Sequence, residues 1–287
     1  MAISNRLNYI FIMFYFLTII YLVFFLVFPE FQVLILEGRQ FFGTFSTSSN
    51  YFIGLLISFA ICVIGNASFG FPIPYPFILF SLSNSIYLEY HLQGLLFSEI
   101  ILLAPFWLKL LGIILAGGLG SAIGEVTSFI IGKKAKDFAS NSNSKVIKNI
   151  NGFGKLVLEN PKRTYLYIFI AAALPIPDDP LWAGIGLAVG DNNRTITGMN
   201  NQDGDPLPFS FTKTILAGWL GKNFTTLFYA AWPIFIAVGL TASGIELNDT
   251  SSVITEAIVL LVTITMMYFI MAFDWNKYIQ KHKKSLE

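Results

Sequence analysis

Four ionisable residues lie within or beside long apolar runs of the sequence: Glu125, Asp178, Asp179 and Lys222. An ionised side chain at the centre of a bilayer costs about 2.5–3.5 kcal/mol on insertion scales, so such a residue is expected to have a partner or a function. Two carboxylates that share a poorly hydrated pocket can bind and release a proton near neutral pH. A lysine beside them offers a contact for a phosphate group. The residue types therefore indicate binding of protons or of a lipid headgroup at membrane depth.

Each of the four residues also has a purely structural interpretation. Asp179 precedes Pro180, a pair that is typical of an N-cap followed by the first position of a helix. Glu125 and Lys222 could pair with each other, or the lysine could extend to a headgroup at the membrane surface. Asp178 has no capping role in this interpretation, which makes it the strongest functional candidate.

A proline-rich stretch that interrupts an apolar run occurs twice. Its prolines are Pro72, Pro74 and Pro76 in the first copy and Pro175, Pro177 and Pro180 in the second. A second match follows each copy: residues 114–120 read ILAGGLG and begin 42 residues after Pro72, and residues 215–221 read ILAGWLG and begin 40 residues after Pro175. Two ordered matches at nearly one spacing predict that the chain is a duplicated unit.

The prolines remove backbone donors and prevent a continuous helix, so each copy predicts a re-entrant hairpin that enters and leaves the membrane on one side. The half-helices of such hairpins direct free N–H groups towards the membrane midplane, where they favour an anionic headgroup. Asn66, Ser68 and Tyr75 in the first hairpin are possible donors, although capping of a loop is the expected role of Asn66. Trp182 follows the second break and is expected to line the cavity.

The composition is typical of a polytopic membrane protein. Of the 287 residues, 55% are hydrophobic and only 12% are charged, whereas a soluble domain would carry about twice that charge. No CxxC, HExxH, Walker loop or GxGxxG after a strand is present, and there are two histidines. The sequence therefore predicts no enzyme, no cofactor, no metal site and no nucleic-acid partner.

Four stretches are expected to span the bilayer as helices: 9–28, 107–131, 211–238 and 253–273. The third is expected to kink near Pro233, and residues 191–212 before it are expected to form a linker. The second stretch carries small residues at every fourth position, a pattern that lets another helix backbone approach closely. These small residues are Gly112, Ala116, Gly120, Gly124, Ser128 and Gly132.

Charge is segregated along the chain. The polar segment 133–163 contains eight basic residues, and the C-terminal tail adds four lysines, whereas segment 241–252 has acids and no lysine or arginine. The positive-inside rule places segment 133–163 and both termini in the cytoplasm and segment 241–252 outside. The membrane is expected to be the plasma membrane. The first hairpin then opens outwards and the second inwards, as in transporters with inverted repeats.

The predicted fold is an all-α polytopic membrane protein with two inverted repeats, each a proline-broken re-entrant hairpin followed by a spanning helix. Residues 1–50 form an N-terminal spanning helix and an interfacial segment. Residues 51–240 form the core, which consists of a first repeat at about 51–132, a basic cytoplasmic loop at 133–163 and a second repeat at about 164–240. Residues 241–287 form a last spanning helix and a basic tail.

Three stretches resemble the DedA/VTT superfamily, whose members are also called SNARE-associated Golgi proteins. Residues 120–125 read GSAIGE, residues 132–134 read GKK, and residues 173–184 read ALPIPDDPLWAG. The resemblance covers about residues 51–240. It implies lipid movement between leaflets: bacterial members are associated with transport of undecaprenyl phosphate and with the proton gradient, and eukaryotic members scramble phospholipids.

The chain also departs from that family. Glu125 lies where members often carry an acid in the glycine-rich helix, but Asp178 takes a place where many bacterial members have an arginine. Their first hairpin usually has an acid near its proline, and segment 66–82 has none. These differences indicate a divergent branch without the bacterial type of phosphate clamp.

The function predicted from the sequence is flipping or scrambling of phospholipid or polyprenyl phosphate between leaflets, with proton linkage through the buried acids. Membrane lipids and protons are the expected partners, and a homo-oligomer is compatible with the glycine ridge. A secondary transporter for a small ion or solute would use the same architecture. A non-transporting membrane scaffold that packs through its glycine ridge is a third interpretation.

Overall fold

The computed structural model of the chain describes residues 2–45, 50–67, 75–136, 144–160, 162–175, 178–189, 195–200, 206–242, 249–273 and 277. These residues are mostly helical, as the sequence predicts. The helices are α1 (Ala2–Val27), α2 (Pro29–Thr44), α3 (Tyr51–Ala67), α4 (Tyr75–His91), α5 (Phe97–Ile100), α6 (Ala104–Lys134), α7 (Lys145–Leu158), α8 (Thr164–Ala173), α9 (Asp179–Ala188), α10 (Phe211–Ala242) and α11 (Asp249–Ala272). The strands are β1 (Thr195–Asn200) and β2 (Pro206–Pro208).

Two helices in the described part of the chain are long and apolar enough to cross a membrane: α1, over Asn8–Val27, and α6, over Ala104–Lys134. They correspond to the first two predicted spans. Two shorter helices, α3 and α8, are also apolar. Helices α10 and α11 occupy the positions of the other two predicted spans, for which a membrane crossing stays a prediction.

Several helix ends follow directly from local sequence. Helix α1 ends before Pro29, which begins α2, because proline suits the first turn of a helix but not its interior. Helix α6 has Pro105 in its first turn and Lys133 and Lys134 in its last, where cations favour the negative end of the helix dipole. The Ser144 hydroxyl accepts a hydrogen bond from the backbone N–H of Ile147 and so caps α7.

The two long helices α6 and α10 lie side by side at the centre of the structure, and two helix pairs pack around them. The first member of each pair contacts the long helix that follows it in sequence, α3 on α6 and α8 on α10. The second member packs extensively on the other long helix, α4 on α10 and α9 on α6. The two helix pairs therefore tie both long helices together.

Glycines allow these close contacts. A Cβ atom added at Gly120 of α6 would collide with the carbonyl oxygen of Phe59 in α3, and one added at Gly221 of α10 would meet the carbonyl oxygen of Phe169 in α8. Gly120 and Gly221 end the two matching sequence stretches. The other predicted packing glycines also face neighbours: Gly112 meets the Tyr51 hydroxyl, Gly124 the Val63 carbonyl and Gly132 the Ala183 carbonyl.

The hydrophobic core has two main parts. One surrounds Trp182 and Ile168 and joins α6, α8 and α9, and the other surrounds Cys62 and Leu79 and joins α3, α4 and α6. A smaller cluster of Phe11, Phe14 and Ile264 joins α1 to α11. Each predicted hairpin thus has a core of its own beside the central helices.

The structure differs from the sequence-based prediction in three segments. The predicted basic loop 133–163 contains helix α7, whose buried face packs on α9 with Gly154 against Gly184. The sequence of residues 85–104, with acids and a histidine beside apolar stretches, predicts an interfacial helix. In the structure α4 continues to His91, and only the short α5 follows it in this segment. Strands β1 and β2 pair antiparallel in the predicted linker 191–212.

The predicted proline breaks lie between or at the ends of helices where the structure describes them. Pro76 is in the first turn of α4, Pro175 follows α8, and Pro180 is in the first turn of α9. Pro72, Pro74 and Pro177 lie outside the described residues, as does Ser68. Helix α10 runs through position 233, where a kink was expected.

The close approach at Gly120 predicts a stability effect. We expect Gly120→Ala to lower the free energy of unfolding by about 1–3 kcal/mol, because the added methyl group forces α3 away from α6. Gly38→Ala in α2 is the matched control, since nothing lies within 4 Å of a Cβ atom there. Alanine should stabilise that helix by up to about 1 kcal/mol. Thermal unfolding of the purified variants measures both changes, and equal midpoints would contradict the packing described.

Candidate functional site

A buried lysine at the centre of the structure is surrounded by oxygen atoms from three other segments. Lys222 Nζ lies 2.8 Å from Glu125 Oε1 and 3.0 Å from Asn66 Oδ1, and it forms a short ion pair with Asp178 Oδ1. Lys222 is 3% exposed, Glu125 is 1% exposed and Asp178 is 4% exposed. The ionic groups are therefore shielded from solvent by the protein itself.

Each charged group comes from a different element. Glu125 lies on α6, Lys222 on α10 and Asp178 at the start of α9. Glu125 follows Gly124 and Lys222 follows Gly221, and both glycines are points of close backbone approach. The same packing that joins the long helices to α3 and α8 thus brings the charges together.

Trp182 holds Asp178 in place. Its indole Nε1 donates a hydrogen bond to Asp178 Oδ2 at 3.0 Å, while the ring is fully buried against Gly218 of α10. Trp182 was expected to line a cavity, which stays a prediction, and the structure adds its contact with Asp178. A tryptophan four residues after an aspartate on a helix is well placed for such a bond.

The helix start at the aspartate pair lies one residue earlier than the sequence suggested. Asp178, not Asp179, is at the N-cap position of α9, and its backbone carbonyl accepts hydrogen bonds from Leu181 and Trp182. Its side chain makes no capping bond. Asp179 Oδ1 accepts a hydrogen bond from Ser128 Oγ of α6 at 3.1 Å.

Asn66 is oriented by its other contacts. Its Nδ2 donates to Ser121 Oγ at 3.0 Å and to the backbone carbonyl of Cys62 at 2.9 Å, which leaves Oδ1 directed at Lys222. The sequence suggested loop capping as the main role of Asn66 and donation to a headgroup as a second one, and Ser121 was not identified as a site residue. One signal was present, because Ser121 and Lys222 each follow directly after the matching stretches 114–120 and 215–221.

Acceptors and negative charges exceed donors and positive charges in this site. Three carboxylates, of Glu125, Asp178 and Asp179, share a single lysine. Glu125 Oε2 is buried and has no hydrogen-bond partner among the described residues. A buried polar atom without a partner is costly, and a buried charge is more so. The arrangement therefore suits binding of a further cation or proton.

No group of three or more His, Cys, Asp and Glu side chains arranged to hold a metal ion occurs among the described residues. The ammonium group of Lys222 brings the oxygens of Asn66, Glu125 and Asp178 together.

No family model, curated protein or solved structure matches this chain. The geometry of the site and the sequence patterns are thus the basis for any functional conclusion.

The buried ion pairs predict a large effect of removing the cation. We expect Lys222→Met to destabilise the protein by about 3–5 kcal/mol, because two buried carboxylates then lose their counter-ion. Lys109→Met is the matched control: Lys109 pairs with Glu89 at 2.8 Å, but these side chains are 19% and 18% exposed. That change should cost about 0–1 kcal/mol.

Thermal unfolding in detergent compares the two lysine variants. Adding Glu125→Gln and Asp178→Asn to Lys222→Met should restore part of the lost stability, since the carboxylates are then neutral amides. Equal midpoints for Lys222→Met and Lys109→Met would mean that the ionic site contributes no more to stability than a partly exposed pair.

Proposed function

We propose that this chain is a polytopic membrane protein that moves lipid between the two leaflets, and that it is a divergent relative of the DedA/VTT superfamily. The observation that carries the proposal is the buried ionic site at which Lys222 contacts Glu125, Asp178 and Asn66. Ionisable residues inside membrane-spanning segments are costly, and they commonly mark substrate and ion pathways or proton relays.

The distances of Glu125 and Lys222 from the ends of their helices support a site near the bilayer midplane. Glu125 precedes the end of α6 at Lys134 by nine residues, or about 14 Å of helix. Lys222 follows the start of α10 at Phe211 by eleven residues, or about 17 Å. Half of a hydrocarbon core is about 15 Å. With those helix ends on the same side of the bilayer, these lengths support a position of both charges about halfway across the membrane.

The arrangement of the hairpins supports the two inverted repeats of the proposal. Helices α8 and α9 have ten residues each, or about 15 Å, which suits a hairpin that enters and leaves on one side. In each predicted hairpin the first helix, α3 or α8, packs on the long helix that follows it in sequence. The second helix, α4 or α9, packs on the other long helix. Transporters with inverted repeats place their substrate site between two such broken elements.

The proposed topology has both termini and segment 133–163 in the cytoplasm, with the protein in the plasma membrane, as the charge distribution predicts. In this orientation the C-terminal end of α6 and the start of α10 face the cytoplasm. The excess of carboxylates over lysine supports proton linkage, because a bound proton brings the buried site closer to neutrality.

The proposal predicts lipid movement that depends on the ionic site. In proteoliposomes with fluorescent phospholipid or polyprenyl phosphate in both leaflets, an external quencher should remove more than half of the signal. Asp178→Asn and Glu125→Gln should slow the quenching of the inner-leaflet fluorescence, which is the second half of the signal, by at least about tenfold. This is the effect of losing one charge-assisted hydrogen bond. Glu89→Gln should leave that quenching unchanged. Measurements with and without a pH gradient test the proton linkage.

Quenching that stops at half for every lipid, with folded protein in the vesicles, would contradict lipid movement. Proton flux that depends on an added solute would then indicate a secondary transporter instead. Loss of partner binding on Gly120→Leu without any flux would indicate a scaffold.

A further inference from the structure

The site contains a set of oxygens arranged around an ammonium group. A lysine ammonium has three N–H donors and no acceptor, and in Lys222 each donor has an oxygen within reach, on Glu125, Asp178 and Asn66. Asn66 is held in the required orientation by Ser121 and by the Cys62 carbonyl. This part of the protein is therefore organised to bind an alkylammonium ion, which here belongs to its own chain.

The same site has acceptor capacity that Lys222 does not use. Glu125 Oε2 is buried without a partner among the described residues, and the carboxylate of Asp179 accepts a hydrogen bond from the neutral Ser128 hydroxyl. Asp179 lies next to Asp178 in sequence and contacts α6 one turn away from Glu125. A second ammonium group bound by Glu125 Oε2 would add both the donors and the positive charge that the site lacks.

An anionic group fits these atoms less well. The donors that a phosphate would need are already engaged, since Lys222 binds two carboxylates and the Trp182 indole N–H binds Asp178 Oδ2. A phosphate would have to displace Asp178 from both of them and would then lie close to Glu125. Like charges at such distances repel strongly where water is excluded.

We infer that this site recognises a primary ammonium group through the free carboxylate oxygen of Glu125. Resting on the proposed lipid movement, the inference assigns aminophospholipids, such as those with an ethanolamine headgroup, as the preferred cargo. A soluble primary amine carries the same chemistry, and the experiment distinguishes the two sources. Choline headgroups carry a positive charge but no N–H donor, and glycerol headgroups carry no cation.

The test compares three lipids that share acyl chains and a fluorescent tail label but differ in headgroup: ethanolamine, choline and glycerol. In proteoliposomes of the full chain, the ethanolamine lipid should cross about ten- to a hundredfold faster than the other two, the discrimination expected of one charge-assisted hydrogen bond. Glu125→Gln should bring the three rates within about threefold of each other. Glu89→Gln, in the partly exposed pair with Lys109, should retain the preference.

A second measurement keeps the inference testable where Glu125→Gln fails to fold. Methylammonium should slow transport of the ethanolamine lipid by the wild-type protein, and tetramethylammonium at equal ionic strength should not. Labelled methylammonium is also offered to the vesicles alone. Its uptake without lipid movement would support the ammonium site and overturn the lipid function.

Other outcomes would overturn the ammonium inference alone, or the ammonium inference and the lipid movement together. Equal rates for the three headgroups, with no effect of methylammonium, would overturn the ammonium inference while lipid movement stands. No lipid movement and no methylammonium uptake would overturn both.

Discussion

The rest of the structure depends on the burial of Lys222 between carboxylates. Taking ions out of water costs several kcal/mol each, so the pairs are tolerated only with good geometry and with further hydrogen bonds to the remaining atoms. Asn66 and Trp182 provide those bonds, at 3.0 Å to Lys222 Nζ and 3.0 Å to Asp178 Oδ2. Because the partners come from α3, α6, α10 and the start of α9, these segments must stay together for the charges to stay paired.

Close backbone contact is the condition for that geometry. Gly120 and Gly124 let α3 lie directly on α6, which places Asn66 beside Ser121 and within reach of Lys222. Gly221 lets α8 lie on α10 in the same way, and Gly218 makes room for the Trp182 ring. A Cβ atom at any of these positions would lie under 3.0 Å from a neighbouring atom, so that the neighbour would have to shift by more than the ordinary spread of hydrogen-bond lengths.

Much of the fold and part of the site could be predicted from the sequence. Long apolar runs and prolines are local signals, and they indicated most of the helices and the four charged candidates. The role of Asn66 could not be predicted in this way, because its contact with Lys222 spans 156 positions and depends on the packing of α3. Helix α7 was predicted as a loop because segment 133–163 contains eight basic residues, although Val146, Ile147 and Ile150 follow a helical period.

The matching stretches 114–120 and 215–221 belong to long helices that make similar contacts with the helix preceding them, but the residues that follow the stretches differ in chemistry. Thr127 of α6 lies 3.2 Å from the carbonyl oxygen of Ala67, at the end of α3, and Thr225 of α10 lies 2.5 Å from that of Ala172, near the end of α8. Carbonyls left free where an apolar helix stops are thus satisfied by the adjacent long helix in both halves. The residues that follow the two stretches differ, with Ser121 in one half and Lys222 in the other. Since the cation comes from one half and Glu125 from the other, any motion that separates the halves must break the ion pair between them. Lys222 would then keep Asp178, which belongs to its own half, whereas Glu125 would lose its cation.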